Sequence, residues 1–362
     1  MSKFFVFNII IFAFFFVQAK VKIEVQYSYS ANFFDLMDNV SNWWEGFTEA
    51  EYQTEWQKKI SSLTEKDKKY FDQYRNLRQN YYNDPDQKEK DPLINRNGFF
   101  SRVGAVTADP VAEVFYDSQT MEESLRNLSK LLKPEEVEFL RGFYSHFEKR
   151  AALFLKESEA FKKILPSLRK SLSGSQVEKY FSDVAAFYEV QPQLVYKVLF
   201  VWFPPIKRST ASPTGKYLIM RYNPVEDLEM AKSDSDIAFH EVVHAISSQQ
   251  PLEQKQKITQ EFLKICPVKD RLKPLTILEE PLAVVFGQAI YLEKFNPQKL
   301  DLSKSLYNNP WISTYAKLLL PLLKVEVKTK KTINSGVIQK AASICKELVL
   351  ASEKIEIPST TK

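Results

Sequence analysis

The sequence predicts a predominantly helical α+β protein with a small mixed β-sheet beside one central helix, and three observations carry that expectation. Helical periodicity dominates from residue 33 to about 190 and returns over 312–327 and 333–352. Two apolar runs, 198–203 and 216–222, are rich in aromatic and β-branched residues and read as strands. They are separated by a turn-rich stretch holding Pro204, Pro205, Ser212, Pro213 and Gly215. Between the strands and the C-terminal helices lies the stretch 237–246, helical in pattern and uncharged except for one glutamate between two histidines.

Taken in order, the chain opens with Lys3, an apolar core at 4–17 and the small-residue site Val17-Gln18-Ala19, the pattern of a secretory signal. Cleavage after Ala19 is the expectation, with retention as an anchor as the alternative. The apolar stretch falls short of the roughly 20 residues a spanning helix needs. Residues 21–27 alternate like a strand. Helices follow, among them 121–132 and 134–155, broken by Pro, Asn, Asp and Gly near 83–110. Aromatics crowd the early helices (Phe33, Phe34, Trp43, Trp44, Phe47, Tyr52, Trp56), which reads as an aromatic-rich helical core, with a glycan- or peptide-binding surface as the alternative. A short helix fits 253–265, and 357–362 reads as a loose tail. The implied division is a signal at 1–19, a mainly helical region at 20–190 and a catalytic region at 191–362, the last two being separate or one continuous domain.

Composition narrows the function. A net charge of +5 is small beside 50 basic and 45 acidic residues, and no basic tract stands out, which argues against nucleic acid as a partner. Hydrophobic residues at 44% and aromatics at 14% suffice for a substantial core. Cys266 and Cys345 form one disulfide or stay buried and free; two cysteines do not make a disulfide scaffold.

The chemistry concentrates in His240-Glu241-Val242-Val243-His244. Histidines four apart share one helical face and can grip a single metal ion, while the glutamate between them reaches the water such an ion holds. Val242, Val243, Ala245 and Ile246 are uncharged and proline is absent, as a buried ligand-bearing helix demands. Ser233 and Asp236 resemble a capping pair for its start, and Pro251 ends it after about Gln249. A catalytic zinc takes three protein ligands and keeps a fourth position for water. With three histidines in the chain and none after His244, the third ligand must be sought elsewhere. His146 sits in a charged helical stretch and reads as a surface residue. The better source is the apolar run 275–289, where Glu279 and Glu280 would be costly to bury without a cation or partner.

Over residues 215–295 the chain resembles the gluzincin branch of zinc metallopeptidases, in which HExxH is followed by a glutamate ligand on a second helix, often as E-x-x-A. Glu280-Pro281-Leu282-Ala283 matches that pattern, 36 residues after His244. The resemblance implies a zincin-like catalytic core, Zn²⁺ held by His240, His244 and Glu280 with Glu279 as the alternative, and Glu241 as general base. It also implies a strand edge that holds an extended peptide, with Tyr222 or Arg221, or more remotely Tyr291, supporting an oxyanion. Two departures stand out. Pro281 biases Glu280 away from helical backbone, so the second helix is expected to begin at Pro281. Val284 stands where thermolysin-like members carry the acid that orients a zinc histidine, so that partner must come from elsewhere. Ala283 and Gly287, four apart, either let the second helix approach the first closely or are ordinary small-residue packing. The expectation is a secreted or periplasmic zinc metallopeptidase acting on a peptide or protein substrate, with no membrane span once the signal is removed. The alternatives are a zinc amidase acting on cell-wall peptide or another non-protein amide, and a catalytically silent zincin-fold binding protein.

Overall fold

A four-stranded sheet, its strands in the spatial order 21–26, 194–202, 217–222 and 210–214, separates two helical layers. The computed structural model describes residues 20–44, 48–82, 109–190, 194–205, 210–233, 235–266, 278–329 and 331–354. The expected signal at 1–19, nearly all of the broken stretch at 83–110 and the tail at 357–362 lie outside them.

Strands β1 (Val21–Gln26), β2 (Leu194–Trp202) and β4 (Tyr217–Tyr222) run parallel, with Val21 opposite Leu194 and Lys197 opposite Tyr217. From Val198 onward β2 is buried on both sides, which is why it reads as a continuous apolar run. Pairing of β1 with β2 ties the start of the described chain into the sheet of the region that follows residue 190.

The turn-rich stretch of the sequence holds a strand that the pattern does not reveal. Thr210–Thr214 forms β3, antiparallel to β4, with Thr210 opposite Arg221 and Thr214 opposite Tyr217. Proline is tolerated because β3 is an edge strand, where a missing N–H breaks no ladder bond. Gly215, at φ 56°, opens the two-residue turn into β4, a conformation that favours glycine.

One face carries α1 (Tyr29–Ser41), α2 (Ala50–Lys59), α3 (Glu65–Tyr81), α4 (Pro110–Asp117), α5 (Met121–Leu128) and α6 (Pro134–Ser158). Their starts follow local chemistry. Ser28 accepts from the Ala31 N–H, Thr64 and Asp67 make a reciprocal capping box, and Asp109 accepts from the Ala112 N–H. The core beneath them is the expected aromatic one: Phe33, Trp56, Phe71, Phe143 and Phe147 are buried with Trp202 of β2 and Ile219 of β4.

On the opposite face lie α7 (Phe161–Leu172), α8 (Ser175–Phe187), α9 (Leu228–Ser233), α10 (Ser235–Ser248) and α11 (Leu252–Ile265). After them come α12 (Glu279–Ala283), a π-helical turn (Val284–Ile290), α13 (Tyr291–Phe295), α14 (Pro310–Lys328), a second π turn (Ile333–Val337) and α15 (Ile338–Lys354). Val198 and Phe200 of β2, Leu218 and Met220 of β4, and Phe239, Val242 and Ile246 of α10 share this second core. This second core takes in α7, α8 and the β1 residues Val21, Ile23 and Val25 together with the chain that follows residue 190. A disulfide joins Cys266 after α11 to Cys345 in α15, with Cα atoms 5.9 Å apart. Among the described residues no helix is long and apolar enough to cross a membrane.

Candidate metal centre

Helix α10 carries the histidine pair into the core between β3, β4 and the helices that follow. Ser233 closes α9 instead of starting α10, and Asp236 in the first turn is ion-paired with Lys299 at 2.6 Å. At the other end Lys255, wholly buried, donates to the Ser248 carbonyl at 2.9 Å. A cation there suits the carbonyl end of a helix. Phe239, Val242 and Ile246 sink into the core, while His240 and His244 are each 6% exposed and turn their rings toward one another with centroids 4.7 Å apart.

The second element is a helix that starts two residues earlier than Pro281. Glu279 is its first residue, so Pro281 sits in the first turn, where a backbone N–H has no intrahelical partner to lose. The expectation that Pro281 opens the helix is corrected on that ground. The rod continues through the π turn Val284–Ile290 into α13, a local widening often found at functional sites. Gly287 lies in that turn against the backbone of α10. A Cβ there would fall 2.5 Å from both the His240 N and Cα, so the approach of the two helices needs glycine.

These two elements bring the donors together. The His240 Nε2 lies 3.2 Å from Glu280 Oε2 and 3.1 Å from His244 Nε2, and His244 Nε2 lies 3.2 Å from Glu280 Oε1. One ligand atom from each of the three residues falls within 4.8 Å of the others. Two imidazole nitrogens face to face repel through their lone pairs unless a proton or a cation lies between them. Glu279 takes a different place. Its Oε1 lies 3.1 Å from His244 Nδ1, on the far side of the ring, and the residue is 5% exposed. The adjacent acids thus divide the work: Glu280 faces the converging nitrogens, and Glu279 holds the ring that presents one of them. This supplies the orienting carboxylate for which the sequence offers Val284.

The electrostatics follow. Burial alone would lower the His244 pKa, but hydrogen bonds to Glu279 and Glu280, with their charges, outweigh it and hold it up at about 10. Burial pushes the Glu280 carboxyl the other way, yet hydrogen bonds from His240 and His244 keep it well below the usual carboxylate range. The two carboxylates therefore favour the charged form of the His244 ring. His240 Nδ1 is buried and has no hydrogen-bond partner among the described residues.

One residue of the site escapes sequence reasoning. Tyr307, in the segment before α14, stacks its ring on His240 with centroids 5.7 Å apart and planes 21° apart. Burial, the Glu280 charge, a hydrogen bond to Glu280 and the Glu241 charge all raise its pKa, which keeps the hydroxyl a donor. The phenol thereby interacts both with Glu280 and with the motif glutamate, Glu241, which is half-buried. No periodicity marks Tyr307; it lies in an irregular segment and reaches the histidines only through the fold.

The other expected residues lie elsewhere. Tyr222 is on the α10 side of the sheet but wholly buried, its ring against Phe200. Arg221 turns to the opposite face, where it donates to Asp35 at 2.6 Å and to Ser212 Oγ at 2.8 Å. Tyr291 packs behind the motif helix, 4.2 Å between its ring and that of Phe239. His146 lies in the other helical layer, half-buried and bonded to Asp67 at 2.7 Å rather than on the open surface as expected. Compared with family models, with curated proteins and with solved structures, the chain matches none of them significantly.

Proposed function

We propose that this protein is a zinc-dependent hydrolase, most simply a metallopeptidase of the gluzincin type with a zincin-like core. The observation that carries the reading is the convergence of His240, His244 and Glu280 with Glu279 behind His244. Two imidazoles and one carboxylate make the donor set of a catalytic zinc with a position left for water, and a bound carboxylate partner fixes the ring that bears the ligand nitrogen. When bound, zinc supplies a Lewis acid that polarises a carbonyl and acidifies water.

The chain's own groups supply the rest. Glu241, on the helical turn between the ligands, takes the proton of the attacking water and returns it to the leaving amine. Tyr307, held as a donor, is directed at the negative charge that develops on the carbonyl oxygen, the role that the resemblance implies for Tyr222 or Arg221. The disulfide between Cys266 and Cys345 suits the extracytoplasmic location that the leading segment implies.

Glu241→Gln tests the mechanism. The variant is expected to bind zinc as the parent does and to lose hydrolysis of peptides, with Tyr307→Phe lowering kcat by about 10²–10³ at unchanged zinc content. Undiminished turnover in Glu241→Gln would sink the assignment. Profiling cleavage of peptide libraries and of peptidyl amides separates a peptidase from an amidase.

A further inference from the structure

Helix α14 buries one side and leaves an apolar stripe on the other. Ile312, Tyr315, Leu319 and Leu323 sink into the core that holds the motif helix, where α14 packs against α12 and the π turn that carries Gly287. Facing away, Leu318 is 47% exposed and Val325 is 56% exposed, two turns apart and so on one line of the helix. Pro321 lies exposed between them, and the half-buried Trp311 and Leu322 border the same line. A single exposed apolar residue is ordinary on a protein surface, and Leu153 on α6 and Leu350 on α15 are of that kind, each the one large apolar residue exposed on its helix. A stripe along two turns is not.

The charges beside the stripe are mostly of one sign. Lys317, Lys324 and Lys328, spaced i, i+7 and i+11, follow one flank. Lys324 pairs with Glu293 at 2.5 Å, whereas Lys317 and Lys328 pair with no acid among the described residues. The only acid within α14 is Glu326, which is buried on the other flank and shared by Lys331 at 2.9 Å and Lys340 at 2.6 Å. Five lysines thus meet two acids, one of them out of reach of solvent. Leucine and valine between rows of lysine give a surface helix the make-up of one that lies in a membrane interface. A second copy of the chain fits this face poorly, because a symmetric contact would set lysine rows against one another from both flanks.

We propose that α14 docks this protein on the surface of an anionic membrane. Leu318, Pro321, Leu322 and Val325 enter the boundary between headgroups and acyl chains, and the lysines on either side meet lipid phosphates. The helix lies on the bilayer and does not cross it, since no described helix is long and apolar enough to span. Its inner side covers α12 and the π turn, so docking holds these elements about one interhelical spacing, ~10 Å, from the lipid-facing helix. No residue of this face is a proposed ligand or general base, so membrane docking and metal binding stand or fall separately.

Co-sedimentation of the full chain with vesicles of equimolar phosphatidylglycerol and phosphatidylcholine, and with phosphatidylcholine alone, tests this. Subtracting binding to the neutral vesicles removes what the uncharged stretch 4–17 contributes. The parent is expected to partition at least about tenfold more strongly onto the anionic vesicles and to lose that preference in high salt. Leu318→Glu with Val325→Glu should cut anionic-vesicle binding at least about tenfold. Lys317→Gln with Lys328→Gln should cut it about twentyfold, at roughly fivefold per lysine. Leu153→Glu, across the sheet, is expected to bind as the parent does. Anionic-vesicle binding that both α14 double variants retain would assign it to another surface or to the leading segment and overturn the proposal. A parent that ignores the vesicles would overturn it too, and a dimer lost in the Leu318→Glu, Val325→Glu protein would then give the face to a second copy.

Discussion

Beneath the N-terminal helical layer Arg78 is wholly buried between Asp38, at 2.7 Å, and Asp109, at 2.5 Å, with the rings of Phe34 and Trp43 over its guanidinium. Across the sheet His240, His244 and Glu280 lie in the core among one another, Glu279 and Tyr307. Both sets bury charge, and the difference lies in where the positive charge resides. In the first it is a guanidinium, covalently part of the chain and permanently ionised, whose fork matches the carboxylates. In the second it rests on the His244 imidazole, where on the proposed reading a metal ion takes the place of a proton. A buried charge answered by a fixed partner is architecture; lone pairs that converge from two helices form, on the proposed reading, a place for an exchangeable cation.

Removing the fixed cation should break the comparison most visibly. Arg78→Leu leaves Asp38 and Asp109 buried without their partner and is expected to cost roughly 3–5 kcal/mol in chemical denaturation. Zinc stoichiometry of the folded fraction should be unchanged. A loss under about 1 kcal/mol would mean that this cluster is not the structural counterpart argued for it.

Next comes Gly287→Ala, which touches the site without altering a donor. In an ordinary helix this change stabilises by up to about 1 kcal/mol. Here the added Cβ meets the His240 backbone at 2.5 Å, so a loss of roughly 1–3 kcal/mol is expected, with weaker zinc binding in parallel. A stabilised variant with intact zinc affinity would contradict the close approach of the two helices.

The smallest effect is a pH dependence in the structural layer. Hydrogen bonding from Arg150, then from His146 and Thr64, holds the Asp67 carboxyl well below the usual range against the opposing effect of burial. Because the folded pKa lies below the unfolded one, this contribution is complete above about pH 4 and fades as pH falls through the folded value. Urea midpoints compared between about pH 6 and pH 3 should therefore drop more for the parent than for Asp67→Asn. Equal acid sensitivity in the two proteins would remove Asp67 from the account.

Much of this was legible in the chain. The i, i+4 histidines, strands β2 and β4, the aromatic helical layer and the paired glutamates all announce themselves through periodicity or through the cost of burying acid. Strand β3 did not, because Pro213 and Ser212 speak for a turn unless one knows that the strand is an edge. The division between Glu279 and Glu280 depends on which side of the His244 ring each reaches, and that follows from a helix starting at Glu279 and widening near Gly287. Tyr307 belongs to the site only because the chain returns there before α14. Each of these is a tertiary fact, set by what packs against the residue rather than by its neighbours in sequence.

The central claim is that the chain holds one zinc through His240, His244 and Glu280, with Glu279 acting from behind His244. Chelator-stripped protein titrated with zinc against a chromophoric competitor tests it most directly. The parent is expected to take up one equivalent tightly, Glu280→Gln and His244→Ala to lose it, and Glu279→Gln to keep the stoichiometry with affinity about 10–100-fold weaker. No tight zinc in the parent would contradict the account, as would a Glu279→Gln variant that loses the metal while Glu280→Gln retains it.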